Sequence, residues 1–455
     1  MTNKHFWRSL PFACGFAALL GFAAHPRVVK GGSQAPPRPI FTPYHASGIY
    51  DVGETVGWTV SLPEGVAPPA GRVAYSVRRN NFEPIKSGEL DLSSGKATIE
   101  LPADQPSMVY VQLTLPPSNE ADPAPGFRPR RPLVAGAAIA PSKLKPVVAR
   151  PADFDAFWSA KLADLGRIPM NPELTPGDAG RSDVDFSILK MDHLDGGHIY
   201  GQLAEPKAPG KHPALLLLQW ASPPYPLQKS WVTDRAAEGW LTLDIEPHDV
   251  LPNQPQAYYD ALPRELKNYT SIGQEDRDKS YFVRMYLADY RAVEYLAGRP
   301  DWDGKTLVVM GTSMGGQQSV CVAGLNRRIT HMIVEEPSGC DLNAGLHGRQ
   351  PGYPSFPLNS PKAMETARYV DAVNFAPKIR AKCLVAMGFL DTIAPPAGIW
   401  TAFNLIRSPK VVAPMVNAPH NNTATAEEQR PYTSRAAEWL RALASGHQPT
   451  LAAHG

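Results

Sequence analysis

The chain of 455 residues carries 45 basic against 43 acidic side chains, a net charge of +2, and 43% apolar residues. That balance supplies no field able to gather nucleic acid, so any partner must be chosen by local chemistry. The length exceeds what one ordinary core organises and predicts two domains with appendages.

At the amino terminus, residues 1–24 place Lys4 and Arg8 before an apolar run that ends in small residues around Gly21 and Ala23. This is the layout of a secretory signal, too short to span a bilayer, and it predicts export to the periplasm or the medium. Cys14 lies inside that run; Cys321, Cys340 and Cys383 remain, an odd number without metal spacing, so no disulfide framework is expected.

Residues 38–142 read as one all-β domain. The pieces "ETVGWTVSL", "GRVAYSVRR", "KATIEL" and "SMVYVQLTL" are β-rich and separated by turn clusters, which predicts a small immunoglobulin-like sandwich. Its aromatics Trp58, Tyr75 and Tyr110 are expected in the core. A proline-rich stretch follows, and "LVAGAAIA" is a candidate last strand. The domain is assigned three candidate roles: sugar binding, a spacer, or a lid over the site.

From 143 to 446 strands and helices alternate, with 447–455 as a polar tail. "ADFDAFWSAKLADL" and "SYFVRMYLADYRAVEYLAG" have helical periods, as does the closing "SRAAEWLRALA"; "HPALLLLQWA", "WLTLDIE", "TLVVMG", "THMIVEE", "AKCLVAMG" and "VVAPMVN" are apolar strands. Such alternation predicts an α/β class, a doubly wound, mostly parallel sheet with ligands at the carboxyl ends of its strands.

Between the strand "TLVVM" and the helix beginning "GQQS", the stretch Gly311-Thr312-Ser313-Met314-Gly315 satisfies G-x-S-x-G in its required context. Glycines are needed because the turn doubles back so tightly that a Cβ would collide. Ser313 at a helix start faces unpaired amides, which makes the Met314 N–H a candidate oxyanion donor. A serine nucleophile needs a histidine held by a carboxylate, in the order serine, acid, histidine for this fold class. Among His331, His347, His420, His447 and His454, only His420 ends a strand on the edge where Ser313 emerges. His347 sits in a loop and His331 at the opposite end of its strand. Asp391 follows "CLVAMGFL" and is stiffened by Pro395 and Pro396; Glu335 and Glu336, closing the preceding strand, are its competitors. The second oxyanion amide is expected at Ala221 or its neighbours Trp220 and Ser222. No zinc spacing, dinucleotide fingerprint or phosphate loop is present, so no metal and no cofactor is expected.

From Pro151 to Leu440 the chain resembles the acetyl xylan esterase and cephalosporin C deacetylase family, carbohydrate esterase family seven of the α/β-hydrolase superfamily. The resemblance is carried by "PADFDAFWSAKLADL", "GGHIYGQLAEPKAPGKHPALLLL", "YFVRMYLADYRAVEYLAGRPDWDGKTLVVMGTSMGGQQ" and "GFLDTIAPPAGIWTAFN". It implies Ser313 as nucleophile, Asp391 as acid and His420 as base. It also implies removal of acetyl groups from acetylated sugars or small esters. Relatives often form rings, so a homo-oligomer is one expected state. Three positions depart from the family pattern. "LLLLQWAS" lacks the histidine-glycine-tyrosine element, "DIEPHDVLP" stands where arginine-glycine-glutamine is usual, and Asn421 follows the histidine where glutamate is common. A serine peptidase of the same superfamily and a hydrolase-like binding protein without turnover are the competing readings.

Overall fold

The computed structural model describes residues 38–69, 71–115, 132–219, 227–246 and 248–451. The secretory signal read in residues 1–24 lies outside them, as do Ala221, Trp220 and Ser222.

The amino-terminal part contains β1 (Ile40–Pro43), β2 (Ile49–Tyr50), β3 (Thr55–Ser61), β4 (Val73–Arg79), β5 (Glu83–Leu90), β6 (Lys96–Pro102), β7 (Ser107–Thr114) and β8 (Leu133–Ile139). They form two sheets, ordered β1-β3-β6 and β2-β8-β7-β4-β5. Alternation along each strand points Val56, Trp58, Val60, Val77, Ile99, Val111 and Leu113 into a shared core. Only Trp58 of the three aromatics expected there lies fully inside. Tyr75 is partly buried at the core's edge, over Gly88, where an added Cβ would meet its ring. Tyr110 is buried but points the other way, because its neighbours Val109 and Val111 take the core-facing positions of β7. Met108, on the same face as Tyr110, belongs to the core of the α/β half.

In that half the strands are β9 (Glu173–Gly177), β10 (Val184–Asp192), β11 (His198–Pro206), β12 (His212–Leu218), β13 (Leu241–Glu246), β14 (Trp302–Thr312), β15 (His331–Glu335), β16 (Lys382–Gly388) and β17 (Lys410–Met415). The helices are α1 (Phe154–Gly166), α2 (Lys229–Ala237), α3 (Gln256–Asp260), α4 (Arg264–Lys267), α5 (Tyr281–Gly298), α6 (Met314–Leu325), α7 (Pro361–Val370), α8 (Ala372–Phe375), α9 (Pro396–Leu405) and α10 (Arg430–Ala444). One sheet runs β17-β16-β15-β14-β12-β13-β11-β10-β9, with β12 to β17 pairing in parallel and β9 to β11 adding antiparallel strands. The four leucines of β12 explain its central place: Leu216 and Leu218 join the core shared with α5 and α6, while Leu215 joins that under α10.

The antiparallel edge was not expected from periodicity. In β10 the buried positions change phase, from Val184 and Phe186 to Leu189 and Met191, and the two pairs belong to different clusters. A strand that changes face partway has no clean two-residue period.

Candidate active site

The turn from β14 into α6 holds Ser313 at φ 57° and ψ −117°, a conformation that costs an ordinary side chain about 1–3 kcal/mol. Three backbone hydrogen bonds pin it there. Ser313 N–H donates to Glu335 O at 2.9 Å, and Ser313 O accepts from Gln317 N at 3.0 Å and Ser338 N at 3.0 Å. The glycines are required by contact. A Cβ on Gly311 would lie 2.3 Å from the carbonyl of Gly315, and one on Gly315 only 2.1 Å from Leu218 O. Gln318 fastens the same junction, donating its amide N–H to Gln219 O at 2.8 Å.

Ser313 Oγ lies 3.0 Å from His420 Nε2, and His420 Nδ1 lies 2.7 Å from Asp391 Oδ2. The three side chains come from the ends of β14, β16 and β17 and are all buried. Asp391 Oδ1 accepts two further hydrogen bonds, from Ile393 N at 2.7 Å and Ala394 N at 2.8 Å. With its two oxygens turned to three nitrogens, this carboxylate is fixed in direction. The Nδ1–H tautomer follows, which leaves the Nε2 lone pair toward the serine hydroxyl.

The competing acids lie close by. Glu335 is buried and accepts from Thr312 Oγ1 at 3.1 Å. Glu336 is fully buried, with Oε2 at 3.4 Å from His420 Nδ1 and 2.6 Å from Asn421 N, whose N–H it accepts. Burial raises the affinity of both carboxyls for protons. Ligand atoms of Glu336, Asp391 and His420 fall within 4.8 Å of one another. Even so, a ring with Nδ1–H on one carboxylate and Nε2 on a hydroxyl has no lone pair turned to a shared ion, so the group reads as a hydrogen-bond network. His331 is buried at the opposite end of β15 against Trp439, and His347 ends a 3-10 turn, so neither meets Ser313. Met314 opens α6 beside the serine.

Sequence reasoning missed the brace on the Asp391 loop. Gln350 accepts the side-chain N–H of Asn81, its backbone N–H donates to Asn80 O at 3.1 Å, and its side chain donates to Thr392 O at 2.7 Å. Asn80 and Asn81 form the tight turn between β4 and β5, both at positive φ, so this hairpin tip reaches the Asp391 loop through the Gln350 side chain. Gly136 in β8 packs so near Phe389 that a Cβ would come within 2.9 Å of its carbonyl. An "NN" turn is the signal that a hairpin tip was there, but nothing local names its partner 269 residues away.

An acetyl xylan esterase family model matches residues 142–439. A curated acetyl esterase of Xylanibacter ruminicola is 30% identical over 377 residues, covering 81% of this chain and 83% of its own. Among solved structures, an acetyl xylan esterase of a Paenibacillus species is 23% identical with a TM-score of 0.54, covering 62% of this chain and 93% of its own. Another, from a Thermoanaerobacterium species, is 20% identical with a TM-score of 0.53, covering 66% and 96%. These two likenesses concern the fold, which is that of the α/β-hydrolases. The chain belongs to the acetyl xylan esterase family and is a carboxylic ester hydrolase.

Proposed function

We propose that the chain removes acetyl groups from acetylated sugars or xylan fragments through a Ser313, His420 and Asp391 triad and an acyl-enzyme. The observation that carries the reading is the unbroken relay from Ser313 Oγ through both ring nitrogens of His420 to Asp391, at 3.0 and 2.7 Å. His420 takes the serine proton as Oγ attacks the ester carbonyl, and the tetrahedral oxyanion rests on the Met314 amide and one near Ala221. As the C–O bond breaks, the imidazolium returns its proton to the departing sugar hydroxyl. Water then attacks the acetyl-serine with His420 again as base, and acetate leaves.

In this proposal residues 143–446 form the catalytic domain, in keeping with the span matched by the family model. Residues 38–142 form an immunoglobulin-like domain bracing the acid loop, 1–24 a signal for export, and 447–455 a tail. Among the described residues no helix is long and apolar enough to cross a membrane. A homo-oligomer is a further part of the proposal.

The test is acetate release from acetylated xylo-oligosaccharides by the wild type and Ser313→Ala. Loss of activity by ~10³-fold or more is expected, since a triad without its nucleophile keeps only the residual contribution of the oxyanion site and binding. Equal rates would remove the serine from the mechanism, and turnover restricted to longer acyl esters would displace the acetyl assignment.

A further inference from the structure

The His420 imidazole faces two carboxyl groups, and the triad uses one. Glu336 follows β15 at φ 47°, with its backbone N–H held on Ala386 O at 2.9 Å. Its side chain places Oε2 3.4 Å from His420 Nδ1 and accepts the Asn421 N–H at 2.6 Å. Its Oε1 has no partner among the described residues. The groups facing it are Glu335 beside it on the chain, Asp391 after β16, His420 after β17 and Tyr432 on α10. Among the described residues no lysine or arginine pairs with it.

Two carboxyls that share one N–H donor and no cation cannot both hold charge cheaply. The donors decide which one does. Asp391 receives two backbone N–H groups and the imidazole, whereas Glu336 receives one amide and a longer approach from the ring. The charge therefore resides on Asp391 and the proton on Glu336.

Building on the triad proposed above, we infer that Glu336 is a second positioning carboxyl for His420: neutral while Asp391 is present, and the ring's acid when Asp391 is lost. In the first state it fixes the backbone immediately after His420 through the Asn421 amide. In the second, the repulsion from Asp391 is gone, and its Oε2 already lies 3.4 Å from Nδ1.

The experiment uses the full chain with 4-nitrophenyl acetate and compares wild type, Glu336→Gln, Asp391→Ala, Asp391→Ala/Glu336→Gln and His420→Ala. A triad without its acid loses ~10⁴-fold in kcat, so a substitute acid should limit the loss in Asp391→Ala to ~10²-fold. Glu336→Gln should then cost at least ~10-fold more in the Asp391→Ala background than in the wild type, the non-additivity of groups that serve one function. The acid limb of kcat/KM should also move to lower pH by ~1 unit between Asp391→Ala and the double variant, because the imidazolium loses the anionic neighbour at its Nδ1. A residue that only holds the backbone would not move that limb. Equal costs in both backgrounds with an unmoved limb would overturn the inference.

If Asp391→Ala does not fold, the isosteric Asp391→Asn replaces it. The downfield Nδ1 proton resonance of His420 supplies an independent readout, since Glu336→Gln should shift it in the otherwise native protein and an unshifted signal counts against Glu336. Wild-type activity in His420→Ala would sink the triad itself, a failure separate from that of Glu336.

Discussion

Gly315→Ala tests the claim that the nucleophile turn is set by backbone contact rather than by glycine flexibility. Gly315 has an ordinary helical backbone, so alanine there meets no conformational penalty and gains up to ~1 kcal/mol of helix propensity. The obstacle is Leu218 O, 2.1 Å from the added Cβ, against the 3.4 Å at which ordinary contact begins. The end of β12 and the start of α6 must separate by the difference, 1.3 Å. Leu218 is held in register on both sides, by Ile245 of β13 and Gly311 of β14, so the strain cannot be released locally. Overpacking of this kind costs ~3 kcal/mol, leaving a net loss of ~2 kcal/mol after the propensity gain. The melting temperature should fall by ~4–8 °C. Moving Ser313 by about 1 Å from its base should lower kcat by ~10²-fold. Differential scanning fluorimetry and initial rates on 4-nitrophenyl acetate measure both effects. Gly298→Ala, at the end of α5 with nothing within 4 Å of the new Cβ, is the control and should leave kcat unchanged while the melting temperature does not fall. A Gly315→Ala protein with native melting temperature and native kcat would refute the contact argument.

Burial pushes the His193 ring down to about 4 from an ordinary value of 6.5. The unfolded ring therefore binds a proton between those two pH values while the folded one does not, so His193 withdraws stability as pH falls through that window. At pH 5 the withdrawn amount is about 2 kcal/mol. His193→Gln should be more stable relative to wild type at pH 5 than at pH 7, as read by urea unfolding at both; parallel curves would show that the ring is not neutral when folded. Gln350→Ala removes the bond to Thr392 O and the partner of Asn81. It should lower kcat several-fold with KM nearly unchanged and release protease sensitivity in the β4–β5 turn; unchanged kcat would mean that the acid loop stands without the brace.

How much of this was legible in the chain depends on the distance over which the information acts. The β14-to-α6 turn was readable because G-x-S-x-G states a steric requirement within five residues, and the apolar runs of β12 to β17 were readable because burial on both faces needs no periodicity. Parallel pairing followed from alternation with helices, which put Ser313, Asp391 and His420 at the carboxyl ends of their strands. Local pattern said nothing of β9 to β11, since the buried face of β10 changes as it passes from one cluster to another. Strand-end placement favoured Asp391 over Glu336 without naming the donors of either. Both end strands beside the site, and only packing turns three N–H donors onto the first and one amide onto the second. The brace through Gln350 likewise depends on two hairpin asparagines meeting a loop far along the chain, a contact that exists only in the folded molecule. Sequence by itself therefore determined which groups are chemically able to act, because nucleophile, base and acid are properties of residue type and local turn. Tertiary structure decided which carboxyl receives the imidazole and two backbone amides, because those donors are delivered from other parts of the fold.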